Sequence, residues 1–126
     1  MVESCRRQLQ KAGDTYWEAQ IRILYTEAQA WQLAATLHEE DALAHLRQAA
    51  DEEDASEKLP VTPGPVVPAR EQLGEMLLVL NRPKEALAEF RAALVMAPGR
   101  RGSLTGAARS VDAVRVTASG PTPAAP

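Results

Sequence analysis

Residues 70–98 read REQLGEMLLVLNRPKEALAEFRAALVMAP, and this stretch decides the fold class. Its apolar residues recur at intervals of three and four, which places them on one face of an α-helix. The first half carries Leu73, Met76, Leu77 and Leu80, and the second carries Ala86, Leu87, Phe90, Ala93 and Leu94. Asn81 and Pro83 separate the halves, because asparagine tolerates the conformation that ends a helix and proline suits the first turn of the next. The stretch therefore predicts two helices, over 67–80 and 84–97, joined by a tight turn.

Side-chain size indicates how these two helices meet. Gly74, Ala86 and Ala93 are small, so the facing helices can approach each other closely. Phe90 is large and fills the space that the small residues leave. Pro98 cannot continue a helix, so it ends the second one. The pattern predicts an antiparallel helix pair.

This pair resembles one tetratricopeptide repeat (TPR), whose 34-residue pattern runs Trp-x2-Leu-Gly-x2-Tyr, then Ala-x3-Phe, then Pro. Arg70 occupies the Trp position and departs from the pattern, and leucine replaces the Tyr. The matching signature is Leu73, Gly74, Leu77, Ala86, Phe90 and Pro98, with Ala93 as a further small residue. The resemblance extends to bacterial proteins of this family. It implies an all-α, right-handed α-solenoid of antiparallel helix pairs with a concave protein-binding face.

Weaker copies of the same pattern flank the pair. Ala42 and Leu46 precede Ala86 and Phe90 by 44 residues, which equals one repeat plus a ten-residue insertion. Ala108 follows Gly74 by 34 residues. We therefore expect one helical domain over 1–116, with repeats at about 15–54 and 67–98, a proline-rich connector over 55–67, and a partial third repeat or cap over 101–116. Residues 117–126 are small, polar and proline-rich, which predicts a disordered tail.

The N-terminal part of the chain predicts three more helices, over 3–12, 15–37 and 40–54. The second of these has an apolar stripe at steps of three and four, formed by Trp17, Ile21, Leu24, Ala28, Trp31 and Ala35. We interpret this stripe as the core-facing side, with Trp17 and Trp31 as core anchors. The alternative is that the two tryptophans stack on a ligand.

Composition narrows the class of protein. The chain has 126 residues, a net charge of -3 and a single cysteine, Cys5. One thiol cannot form an intrachain disulfide, and the sequence has neither a signal-peptide pattern nor a transmembrane run. These features favour the cytoplasm. The negative charge and the few aromatic residues make a nucleic acid or a membrane an unexpected partner.

The sequence lacks the common patterns of catalysis and metal binding. It has no phosphate-binding glycine loop and no Gly-x-Ser-x-Gly elbow, and His38 and His45 do not have the His-Glu-x-x-His spacing. We therefore expect no catalytic, cofactor-binding or metal-binding residues, no cofactor and no enzymatic activity.

The working surface predicted by the repeat register is a groove on the first helix of each repeat. Its residues are Glu27, Glu71, Glu75, Val79 and Arg109, and its expected ligand is a basic or mixed peptide. The predicted function is non-catalytic protein–protein interaction, as a scaffold or adaptor. Two alternatives stay open: a segment of a larger repeat protein without binding activity of its own, and an accessory or metal-binding domain of an enzyme. The incomplete third repeat also offers a surface for self-association.

Overall fold

The computed structural model describes residues 2–56 and 64–120, and all regular elements in these ranges are α-helices. Their bounds are α1 (Val2–Ala12), α2 (Thr15–Ala35), α3 (Glu39–Ala55), α4 (Ala69–Val79), α5 (Pro83–Met96) and α6 (Arg101–Ser119). The predicted all-α class is confirmed. The chain divides into two compact units, residues 1–70 and 71–126. None of the helices in the described ranges combines the length and the apolar character needed to cross a membrane.

The first unit starts with a sharp turn between α1 and α2. Gly13 has a φ of +70°, which glycine adopts without the steric penalty of a Cβ. Asp14 then caps α2, because its Oδ1 accepts a hydrogen bond from the backbone N–H of Trp17 at 3.2 Å. Gln10 of α1 donates a side-chain hydrogen bond to Glu18 of α2 at 2.8 Å. The turn thus brings the end of α1 against the start of α2.

Helices α2 and α3 run antiparallel. Arg22, in the first half of α2, forms an ion pair of 3.0 Å with Glu52, near the end of α3. The connecting turn passes through Leu37, which has a φ of +63° and projects into solvent. The predicted helix over 15–37 therefore ends two residues early, because a left-handed residue cannot continue a right-handed helix.

The core of the first unit is built largely from alanine. Ile23 of α2 packs with Ala49 and Ala50 of α3 and with Ala69. The remaining buried apolar residues of these helices are Ala30, Ala42, Leu43 and Leu46. Small side chains allow the helix backbones to lie close together, and this compensates for the modest volume of the core.

The buried face of α2 is not the face that the sequence predicts. Its buried residues are Ile23, Thr26, Glu27 and Ala30. Trp17 is 46% exposed and Trp31 is 39% exposed, so the interpretation of both as core anchors is wrong. The physical reason is that α3 packs on the side of α2 that carries Ile23, and the aromatic stripe lies on another side of the helix.

The second unit contains three helices around one aromatic ring. The chain turns between α4 and α5 at Asn81, which has a φ of +58°, and α5 begins at Pro83. Phe90 of α5 is fully buried, and its ring contacts Gly74 of α4 and Gly106 of α6. A Cβ at position 74 would lie 2.8 Å from Cζ of Phe90, so the ring fits only because the residue is glycine.

Helix α6 packs through small residues. Its buried residues are Ser103, Gly106 and Ser110, whereas Leu104 is 49% exposed. The helix continues to Ser119, so the prediction of a disordered tail is wrong for residues 117–119. The rest of the predicted tail from 121, and residues 57–63 of the predicted connector, lie outside the described residues.

Candidate functional site

The predicted groove residues of the second unit form a row of ion pairs between α4 and α6. Glu71, in the first turn of the predicted groove helix, has a side chain only 8% exposed. Arg100 donates from Nε to its carboxylate at 2.8 Å, and the Ser103 hydroxyl also donates to it. A buried carboxylate needs such partners, because the loss of hydration is otherwise not compensated. Glu71 is therefore a neutralised, structural carboxylate.

A glycine makes room for this buried carboxylate. The backbone of Gly102 lies so close to the carboxylate of Glu71 that a Cβ at position 102 would overlap with it. A side chain there would have to displace either the carboxylate or the start of α6. The sequence around Gly102 and Ser103 thus supplies space from one residue and a hydroxyl from the next.

A second ion pair lies one turn further along α4. Arg109 of α6 donates from Nη1 to both carboxylate oxygens of Glu75 at 3.0 Å. Both side chains are substantially exposed, so water screens this pair more strongly than the pair of Glu71. The two residues are separated by 34 positions in the chain, the length of one predicted repeat.

The five predicted groove residues are divided between the two compact units. Glu71, Glu75 and Arg109 lie together, and Val79 lies one turn beyond Glu75 with 74% of its surface exposed. Glu27 belongs to the first unit and is buried. Glu71 and Glu75 are each paired with an arginine. Binding of a partner by these residues stays a prediction.

Arg100 and Ser103 contact Glu71 but are not among the residues predicted from the sequence. A signal for them exists at the start of α6: an arginine and a hydroxyl residue fall within one turn of a helix that lacks an acidic first turn. Sequence alone does not say that this turn meets Glu71, since the two lie 29 and 32 residues apart in the chain.

The first unit also contains a linked polar group on its surface. Glu52 accepts hydrogen bonds from Gln48 at 3.1 Å and from Arg22 at 3.0 Å. The Gln48 hydrogen bond, followed by the hydrogen bond and the positive charge of Arg22, lowers the pKa of Glu52 below its ordinary value of 4.5 despite an opposing effect of burial. These contacts connect α2 and α3, so they belong to the scaffold.

The two histidines lie beside one shallow cleft, together with Gln29, Gln32, Leu33 and Thr36. The Nδ1 atom of His38 lies 3.1 Å from the Thr36 hydroxyl, and that of His45 lies 2.8 Å from the Asp41 carbonyl oxygen. Across residues 2–56 and 64–120, the structure contains no group of three or more His, Cys, Asp or Glu side chains that could hold a metal ion.

One further surface is apolar. Trp17, Leu24, Tyr25 and Trp31 of α2 all have between 39% and 62% of their surface exposed. The ring of Trp17 contacts Tyr16 edge-on, with centroids 5.3 Å apart. Large exposed apolar side chains on one helix face are typical of surfaces that contact another molecule.

Comparison of the chain with protein-family models, with curated proteins and with solved structures finds no match. The TPR assignment, the bacterial origin and the cytoplasmic location therefore stay predictions.

Proposed function

We propose that the chain is a non-catalytic protein–protein interaction module of the TPR type, which acts as a scaffold or adaptor. The contact between Glu75 and Arg109 carries this proposal. In an array with a 34-residue period, residues one period apart occupy equivalent positions on neighbouring first helices. The direct contact between positions 75 and 109 fits that register.

The packing around Phe90 supports the same register. The signature glycine, Gly74, contacts the ring from α4, and Gly106 contacts it from α6. In this register Phe90, on the second helix of its repeat, lies between α4 and α6, the first helices of two successive repeats. Leu73, Leu77 and Ala86 are fully buried as well, in keeping with their places in the signature.

The binding surface of such a module would lie on α4 and α6, with Val79 at its exposed end. Because Arg100 and Arg109 neutralise the two carboxylates, this surface selects a ligand by shape and mixed polarity rather than by net charge. A peptide with one apolar side chain for Val79 and polar groups for the Glu75–Arg109 pair fits this description. A purely basic peptide is therefore a poorer choice than the sequence analysis suggests.

The test compares photo-crosslinking from two valines of similar exposure. Val79 on α4 is 74% exposed and Val95 on α5 is 79% exposed. Each is replaced in turn by a photoreactive phenylalanine analogue, and the purified chain is irradiated in an extract of its source cells. Only position 79 lies on the proposed surface, and position 95 is the matched control because α5 is the second helix of its repeat.

A discrete protein adduct from position 79 that is absent from position 95 is the expected result. Addition of Arg109→Glu should weaken that adduct, because the new carboxylate at position 109 would repel the carboxylate of Glu75. Identical adducts from both positions, or none from either, would reject the adaptor function. The second outcome would favour a structural segment without binding activity.

A further inference from the structure

The apolar face of α2 forms a continuous stripe. It consists of Trp17, Ile21, Leu24, Ala28, Trp31 and Ala35, which recur at steps of four, three, four, three and four. At 100° per residue these six side chains fall within a sector of about 80°. Leu24, at the middle of the stripe, is 62% exposed, and Ala28 and Ala35 are also exposed.

The chemistry of this α2 stripe restricts what can cover it. No charged residue lies within the stripe. Its borders are formed by Gln20, Tyr25 and Gln32 and by Glu27, which is buried, so the exposed border residues are uncharged. A charged peptide would gain no counter-charge there and would lose hydration on contact. The surface therefore favours an apolar helix face with uncharged borders.

The order of large and small residues along the stripe is self-complementary. If two copies of α2 lie antiparallel, with the two-fold axis level with position 26, residue i faces residue 52 − i of the partner. Trp17 then faces the partner's Ala35, and Leu24 faces the partner's Ala28. Trp31 faces the partner's Ile21. Each tryptophan and Leu24 meets a smaller side chain, which is the arrangement that lets two helices interdigitate.

We propose that the α2 stripe is an isologous interface through which two copies of this chain associate in antiparallel fashion. An isologous contact needs one patch that complements itself, and the stripe meets this condition in all six positions. Since an aromatic side chain has about 150–250 Å² of surface, the exposed part of the stripe comes to about 400–500 Å² per copy. A pair therefore buries about 800–1,000 Å², which is below the roughly 1,200 Å² of a stable specific interface and typical of transient contacts, so the dimer is weak and reversible.

The first experiment is sedimentation equilibrium of the full chain from about 1 μM to about 1 mM, a range that brackets weak association. The wild-type chain is expected to shift from monomer to dimer. Leu24→Glu should weaken association by at least about tenfold, because it places a carboxylate at the centre of the interface. Leu104→Glu on α6 is the matched control, since Leu104 is also about half exposed and lies outside the stripe.

A wild-type chain that stays monomeric over the whole range overturns the proposal. Association that survives Leu24→Glu also overturns it. If Leu104→Glu abolishes association, the contact lies on the partial C-terminal repeat, and this result also overturns the proposal. Circular dichroism of each variant shows whether its helices are retained.

A second experiment tests the antiparallel direction without an added charge. In a Cys5→Ser background, which removes the exposed native thiol, single cysteines are introduced at Ala28 or Ala35. In the proposed dimer the two copies of position 28 lie about 10–12 Å apart, and the two copies of position 35 about 28 Å. A bismaleimide with a spacer of about 10 Å should therefore link Ala28→Cys and not Ala35→Cys.

Equal linking of both variants would indicate parallel helices, and linking of neither would remove α2 from the interface. Either result overturns the proposal. The inference is independent of the adaptor function, which depends on α4–α6. Failure of the crosslink at Val79 and failure of α2 pairing are thus separate results.

Discussion

Gly106→Ala tests the packing that holds α4, α5 and α6 together. The Phe90 ring lies against Gly106, so a Cβ at that position would overlap with its ring atoms. The ring cannot retreat, because Gly74 contacts it on another side at a distance that already excludes a Cβ. Either α6 must move or the ring must leave its place.

Two effects of opposite sign set the size of the change. Forcing one extra methyl group into a packed core destabilises a protein by about 1–3 kcal/mol. Alanine is preferred over glycine inside a helix by about 1 kcal/mol. The net effect of Gly106→Ala is therefore a loss of about 1 kcal/mol in the free energy of unfolding. In a Phe90→Leu background the overlap is relieved, and the same substitution should instead stabilise by up to about 1 kcal/mol.

The assay is urea unfolding of the four chains of this double-mutant cycle, followed by the far-ultraviolet circular dichroism of the helices. Gly99→Ala is a suitable control, since a Cβ at position 99 would meet no atom within 4 Å. Its effect should stay within about 0.5 kcal/mol. A change of the same sign and size in the wild-type and Phe90→Leu backgrounds would refute the close approach of Gly106 to the ring.

Two further predictions concern charged side chains. Glu71→Ala should destabilise the chain by about 1–3 kcal/mol, because the buried Ser103 hydroxyl loses its acceptor, whereas Glu75→Ala in its exposed pair should cost less than about 1 kcal/mol. Equal losses in urea unfolding would contradict this difference. Gln48 and Arg22 hold the pKa of Glu52 below its ordinary value. The charged Glu52 carboxylate therefore stabilises the fold fully at a pH above the ordinary value, and this stabilisation disappears as the pH falls through the lowered pKa. The urea midpoint of Glu52→Gln should accordingly fall less than that of the wild-type chain between pH 7 and about pH 3, and parallel decreases would disprove the linkage.

The ends of the helices could be predicted because the residues that set them act locally. Gly13 ends α1 and Asp14 caps α2, whereas Asn81 adopts the left-handed conformation after α4 and Pro83 is the first residue of α5. Each of these effects operates within one helical turn, so a window of a few residues contains the information. The predicted helices accordingly agree with the observed ones to within about three residues at each end.

The buried faces were harder to predict, because burial depends on which elements become neighbours. Periodicity shows that α2 has an apolar stripe, but it does not show that α3 packs on Ile23 instead. The same holds for charge. The sequence shows Glu71 as a negative residue on a helix, and only the folded chain shows that Arg100 neutralises it.

Ala108 is exposed, although the predicted repeat register makes it equivalent to a buried residue. Ala108 follows Gly74 by 34 residues, yet Gly74 is buried and Ala108 is exposed. Gly74 is covered because α5 follows α4 and supplies Phe90. Within the described residues no helix follows α6, so position 108 has no equivalent ring to cover it. The repeat pattern therefore predicts where a neighbouring helix would pack, and burial follows only where that neighbour exists. The α2 stripe shows the same effect with larger side chains: its spacing specifies a packing surface, and a second helix is needed to bury it.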